Sequence, residues 1–148
     1  MQDRMAVTIT LTSTQDGESV VHTYSGEWFR KERTVYIRYE EPVEGSASPI
    51  RTLVRYRKDE LLITRRGVVE SEQLFVPGEM RRSGYYRSPY TSFQMETATA
   101  FIELKGEGGE KQASAEPPFA IEWQYELWMN EHLSGRFLNR LHIQEEKQ

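Results

Sequence analysis

Seven polar side chains occur at alternate positions in segments of this 148-residue chain that are otherwise apolar. Arg65 follows Leu61 and Ile63 at a spacing of two residues, and its planar guanidinium can bind a carboxylate or a phosphate through paired N–H groups. The other six offer phenols, a carboxylate, hydroxyls and an amide: Tyr39, Glu41, Thr97, Thr99, Tyr125 and Asn139. Because alternate residues of a β-strand point to the same face, we expect all seven on the apolar, inner face of a sheet.

An arginine on an apolar face needs a partner, because an unpaired buried charge is very costly. One interpretation is an internal polar network, in which Arg65 pairs with Glu41 or with hydroxyl groups and fixes the register of the strands. The other is a pocket, in which Arg65 anchors the anionic group of a small amphipathic ligand and the other polar side chains line the wall. The residues leave both interpretations open.

Sites for catalysis, metals and cofactors are not predicted. The chain contains no cysteine, which excludes disulfides, thiolate metal ligands and cysteine nucleophiles. The three histidines, His22, His132 and His142, are dispersed, and none has a carboxylate at metal-ligand spacing. We find neither a phosphate-binding glycine loop nor a nucleophile elbow. The sequence therefore favours a non-catalytic protein without a cofactor.

The elements that would position these side chains are β-strands. In residues 119–129 every odd position is apolar or aromatic, whereas the even positions include Glu122, Gln124 and Glu126. A helix over residues 121–133 is the main competing interpretation, but six alternating positions in a row favour a strand. About ten such segments follow one another, which predicts an all-β fold: a single antiparallel up-and-down barrel over residues 1–148, closed so that no edge is exposed.

Two segments interrupt this pattern. Residues 91–104 are long for one strand, which predicts a bulge that could move Thr97 or Thr99 to the outer face. By alternation alone, Phe93, Met95 and Phe101 lie on the same face as the two threonines. Residues 105–118 contain three glycines and two prolines and form the longest predicted loop, whose composition is typical of a disordered segment.

Charge is unevenly distributed along the chain. The net charge is −4, yet residues 51–87 carry 9 Lys+Arg and only 5 Asp+Glu. This excess indicates either arginines on the wet faces of strands, which we favour, or an anionic partner. Residues 81–87 interleave arginines and tyrosines, so an interaction module with a solidly packed barrel, contacting protein or RNA through residues 81–90, is the alternative function. Nucleic acid is the less favoured partner.

Motifs along nearly the whole chain resemble the YwiB-like family of small bacterial proteins, whose function is unassigned. The matching motifs lie at residues 26–29, 35–41, 65–67, 75–78, 86, 95–99, 125 and 139–143. The resemblance implies a calycin-like β-barrel, related in shape to lipocalins, in the cytoplasm, and it transfers no binding or catalytic residue.

We also find no sequence pattern typical of an export signal or of a membrane-spanning segment. The first residues contain no apolar signal core, and no run of about 18 apolar residues occurs. We therefore expect a soluble, cytoplasmic protein whose barrel binds a small anionic or amphipathic molecule.

Overall fold

Ten antiparallel strands form a closed barrel in a computed structural model, which describes residues 3–147. Each strand pairs with its neighbours in the chain, and β1 pairs with β10 to close the ring. The strands are β1 (Arg4–Gln15), β2 (Glu18–Lys31), β3 (Thr34–Glu41), β4 (Ile50–Arg57), β5 (Glu60–Arg66), β6 (Glu70–Phe75), β7 (Arg82–Arg87), β8 (Ser92–Lys105), β9 (Phe119–Met129) and β10 (His132–Glu145). The predicted all-β, up-and-down barrel is confirmed.

The core lies inside the barrel, as the alternation predicts. The largest fully buried side chains are those of Trp28, Trp123, Phe75 and Phe119, and each belongs to the inner face of its strand. The competing helix over residues 121–133 is wrong, because β9 keeps its alternation from Phe119 to Met129. No helix within residues 3–147 is long and apolar enough to cross a membrane.

A β-bulge interrupts β8, as the length of the segment predicts. The register with β9 shifts between Thr99 and Phe101, and both Thr97 and Thr99 stay on the inner face, each with 2% exposure. Beyond the bulge the inner residues are Ile102 and Leu104. Phe101 therefore leaves the inner face on which the alternation places it, because one extra residue reverses the direction of every side chain that follows.

One end of the barrel, which we call the closed end, is covered by the loop between β8 and β9. Trp28 Nε1 donates a hydrogen bond of 3.0 Å to the backbone oxygen of Ala115, which is itself buried. Arg30 and Glu116 form an ion pair of 2.7 Å beside it. The composition of this loop indicates disorder, but the structure packs the loop onto the barrel, because Ala115 covers a large aromatic ring.

The other end, which we call the open end, flares because β2 separates from β3. Their pairing stops at Gly26 and Tyr39, and the preceding residues of β2 pair with β1 alone. Glycine is required at the point of separation. A Cβ on Gly26 would lie 2.3 Å from the backbone oxygen of Arg38 and 2.7 Å from Ile9 Cδ1.

Candidate ligand-binding site

The open end contains a cavity of about 460 Å³, which we call the cup. Inner-face residues of β1 to β6, β9 and β10 form its wall. Part of this wall is apolar, with Leu11, Trp123 and Leu141. The polar part of the wall includes His22, Tyr24, Tyr39, Glu41, Arg65 and Asn139.

The central polar contact of the cup is a two-point ion pair between Arg65 and Glu41. Arg65 Nε donates to Glu41 Oε2 over 3.0 Å, and Arg65 Nη2 donates to Glu41 Oε1 over 2.9 Å. Thr52 pairs directly with Arg65 across β4 and β5, and its hydroxyl also donates to Glu41 Oε2. The side chains of Arg65 and Glu41 are 29% and 18% exposed, so the pair is sheltered but in contact with solvent.

Arg65 keeps hydrogen-bonding capacity after this pairing. A guanidinium has five N–H groups, of which Glu41 accepts two. Nη1 has no hydrogen-bond partner among residues 3–147. Glu41 therefore holds the guanidinium in one orientation, and the remaining N–H groups can bind a second acceptor in the cup.

Three aromatic rings stack along one side of the cup. The rings of His22 and Tyr24 are 6.2 Å apart, and those of Tyr24 and Tyr39 are 4.5 Å apart. Burial raises the pKa of both tyrosines, and the negative charge of Glu41 raises each pKa further. The two phenols therefore stay protonated at neutral pH and can donate hydrogen bonds.

Asn139 completes the polar wall from β10. Ser13, which faces it across β1 and β10, donates to Asn139 Oδ1 over 2.7 Å. Tyr125 lies beside the cup but does not line it, since its ring stacks on Phe137 at 5.2 Å. Burial raises the pKa of Tyr125 to about 12, although a hydrogen bond with Asn139 acts in the opposite direction.

The two threonines of β8 lie on the inner face but away from the cup. Thr97 donates to the backbone oxygen of Leu74 over 2.6 Å. The Thr99 hydroxyl has no partner among the described residues. The structure therefore brings Tyr39, Glu41, Arg65 and Asn139 together and leaves Thr97, Thr99 and Tyr125 outside the cavity.

Sequence reasoning missed four polar residues of the cup: His22, Tyr24, Thr52 and Gln73. A signal for them was present. Tyr24 shares the parity of the buried Trp28, and Thr52 lies between the buried Ile50 and Val54. Polar side chains at inner-face positions line the cup wherever their strands reach the open end.

The cup can hold a molecule that has an anionic group and an apolar part. Arg65 and the two phenols supply hydrogen-bond donors, and the partly buried Leu11 and Ile63 supply apolar contact. Within residues 3–147 no three histidine, aspartate or glutamate side chains gather into a possible metal site.

Comparisons with known proteins agree with this fold. A family model described as "Domain of unknown function (DUF1934)" matches residues 6–143. The chain is similar to the crystal structure of YwiB protein from Bacillus subtilis, with a TM-score of 0.78 and 20% sequence identity. The match covers 99% of this chain and 96% of that one, and at this identity it shows the fold alone. No curated protein matches the chain.

Proposed function

The chain belongs to the DUF1934 family, and from the cup we propose that it is a non-catalytic, cytoplasmic protein that binds a small amphipathic anion inside its barrel. The observation that carries this proposal is the combination of an open cavity with an oriented, incompletely satisfied arginine. The cavity, at about 460 Å³, falls in the range of ~300–1,000 Å³ that is usual for small-molecule sites.

The ion pair with Glu41 supports binding because it orients Arg65 in advance. A guanidinium that is already fixed loses little side-chain entropy when an acceptor arrives, and lower ordering costs raise affinity. The ligand's anionic group would meet Arg65 Nη1, and the neutral phenols of Tyr24 and Tyr39 can donate to it as well. These donors offset the repulsion that the Glu41 carboxylate exerts on a second anion.

The apolar wall determines the rest of the ligand. Leu11 and Ile63 line the cup and are only partly buried, so a group that enters the cavity can contact their apolar surfaces. A short alkyl chain or a single aromatic ring would cover them. We therefore expect medium-chain or aromatic carboxylates to bind, and the corresponding uncharged alcohols to bind more weakly.

A thermal-shift comparison tests this proposal. The probes are hexanoate, octanoate, decanoate and benzoate, each measured against the matching alcohol. We expect carboxylates to raise the melting temperature of the wild type more than the alcohols do. Arg65→Met should abolish that difference. Arg136→Met is the matched control, because Arg136 is 67% exposed and pairs with Glu126 outside the cup. Equal shifts by acid and alcohol, or a carboxylate shift retained in Arg65→Met, would reject the proposal.

The alternative function, an interaction surface at residues 81–90, has weaker support. The guanidinium of Arg81 lies 4.1 Å from the ring centroid of Trp128, and that of Arg87 lies 5.5 Å from the ring of Tyr85. These arginines also pair with Glu96 and Glu70. Their charges and stacking faces are therefore engaged within the chain, although Tyr90 itself is 96% exposed.

A further inference from the structure

A second concave surface lies on the outside of the barrel, across β2, β3, β4 and β5. We call this surface the outer groove; it has a volume of about 820 Å³. It forms where β2 turns away from β3 at Gly26, which lines the groove. Only Tyr39 and Thr52 line both this groove and the cup, so the two surfaces are largely separate.

The groove contains a half-buried aromatic pair. Phe29 and Tyr36 face each other across β2 and β3, with ring centroids 5.0 Å apart and planes only 9° from parallel. The guanidinium groups of Arg4 and Arg38 lie 4.7 Å and 5.4 Å from the Phe29 centroid. Both rings are on the wet side of the barrel, where strand alternation usually puts polar residues. Tyr36 covers one face of Phe29 and both guanidinium groups lie over the Phe29 ring, so the ring of this pair on which a nucleic-acid base can stack is that of Tyr36.

Positive charge dominates the groove although the whole chain is acidic. Its cationic residues are Lys31, Arg38, Arg51 and Arg66, against the carboxylates of Glu27 and Glu40. Glu27 is already bound by two arginines, Arg4 and Arg38. Arg51 is exposed and has no ion-pair partner among the described residues, whereas Arg66 lies 4.0 Å from Glu72. With a net charge of −4 over the chain, such a local surplus would attract a polyanion to this face rather than to the others.

We propose that the outer groove binds single-stranded nucleic acid, with a base stacked on Tyr36 and phosphates on Arg51 and Arg66. The geometry favours a strand over a single nucleotide. In the backbone register of β3 and β4, Arg51 lies opposite Glu40, which is four residues beyond Tyr36. Four residues of a β-strand span about 13 Å, which is close to four steps of a stacked strand at ~3.4 Å each. Arg38 lies between the two subsites and can contact an intermediate phosphate.

The arginines fit this ligand better than they fit an acidic peptide. A guanidinium binds a phosphate through two parallel N–H groups and also stacks on flat rings. An acidic peptide would use the cations but leave the aromatic pair without a matching planar group. Arg51 and Arg66 are neighbours across β4 and β5, so their guanidinium groups can reach consecutive phosphates.

Fluorescence anisotropy with a labelled 12-nucleotide single-stranded RNA tests the proposal on the full chain. We expect wild-type binding at 50 mM salt that weakens as salt rises. The double variant Arg51→Gln/Arg66→Gln should lower the slope of log K against log salt by about 1.4, from two contacts at ~0.7 each on a single strand. Tyr36→Leu keeps an apolar side chain but removes the flat ring, and should weaken binding at least about fivefold.

The matched control is Arg136→Gln/Arg140→Gln, which removes the same charge from β10, away from the groove. It should leave affinity near the wild-type value. The proposal is overturned by no binding at 50 mM salt, by an equal loss in the control, or by equal affinity for a polyglutamate peptide. RNAs of two nucleotides should bind much more weakly than RNAs of six; equal affinity for both lengths would also overturn it.

Discussion

The two ends of the barrel are built from the same alternating strands, but their inner-face residues differ in exposure and in the partners they contact. At the closed end Trp28 is 1% exposed, and its indole N–H donates to the loop residue Ala115. At the open end Arg65 is 29% exposed, and its charge is matched by Glu41. One end is covered by a loop, whereas the other holds a polar cavity.

The difference between the ends arises from connections rather than from strands. The loop between β8 and β9 returns across the closed end, so apolar side chains there lose contact with water. At the open end β2 moves away from β3 at Gly26, and an interior position that water can reach tolerates a paired charge. A small barrel can thus combine a core and a polar cavity without any change in strand number.

We expect the largest loss of stability from Trp28→Ala, which should open the closed end of the barrel. Removing a fully buried indole leaves a cavity, and such changes cost about 3–5 kcal/mol of unfolding free energy. Urea denaturation measures the loss. The loop should also detach, so trypsin should cut at Lys111 faster than in the wild type. Trp128→Ala is the matched control, because Trp128 is only half-buried and lies on the outer face. Equal losses in the two variants would mean that the loop does not seal the barrel.

The next largest effect concerns the charge at the open end. Arg65→Met removes the partner of a sheltered carboxylate, and we expect a loss of about 1–3 kcal/mol in unfolding free energy. Arg65→Met/Glu41→Leu removes both charges and should recover most of that loss. Chemical denaturation of the two single variants and of the double variant gives the coupling free energy between Arg65 and Glu41. An additive result, with the double variant as unstable as the sum, would show that Arg65 and Glu41 do not act as a pair.

The last effect is absent near neutral pH and appears only at alkaline pH, where it measures how strongly Tyr125 is shielded from water below the cup. Burial raises the pKa of Tyr125 to about 12, whereas the unfolded chain ionises near its ordinary value of about 10. The raised pKa means that this contribution to stability is complete below pH 10 and is lost as pH rises towards 12. The loss is about 1.4 kcal/mol per pH unit for one tyrosine.

Tyr125→Phe should therefore flatten the fall of unfolding free energy between pH 10 and 12, as measured by urea denaturation at each pH. Tyr90→Phe controls for the loss of a phenol at an exposed position. An unchanged slope in Tyr125→Phe would mean that Tyr125 ionises in the folded protein as easily as in the unfolded one.

Much of the fold could be predicted because the alternation of residues assigns each side chain to a face. It placed Tyr39, Glu41, Arg65 and Asn139 on the inner face and allowed the Arg65–Glu41 pair. The alternation assigned Phe101 to the wrong face, because counting every second residue does not reveal the extra residue in β8. Composition also misjudged the loop at residues 105–118, because contacts with Trp28 depend on a distant strand.

The candidate sites were harder to predict, because assigning a residue to the inner face does not say at which level along the barrel axis its side chain lies. Thr97 and Thr99 share the inner face with Arg65, but β8 contributes no residue to the cup. The outer groove depends on side chains of four strands, so no continuous segment combines its aromatic and cationic residues. Its position also depends on the separation of β2 from β3 at Gly26, which no residue count reveals.

The pairing of β1 with β10 has a consequence for the synthesis of this protein. These strands stand at opposite ends of the sequence, yet Ile9 pairs with Ile143. On a ribosome, β1 can pair with β2 as soon as both emerge, but its other edge must wait for β10. Contacts between distant segments fold slowly, and an unpaired edge invites pairing with another chain. The nascent chain is therefore most vulnerable to aggregation just before its last strand is released.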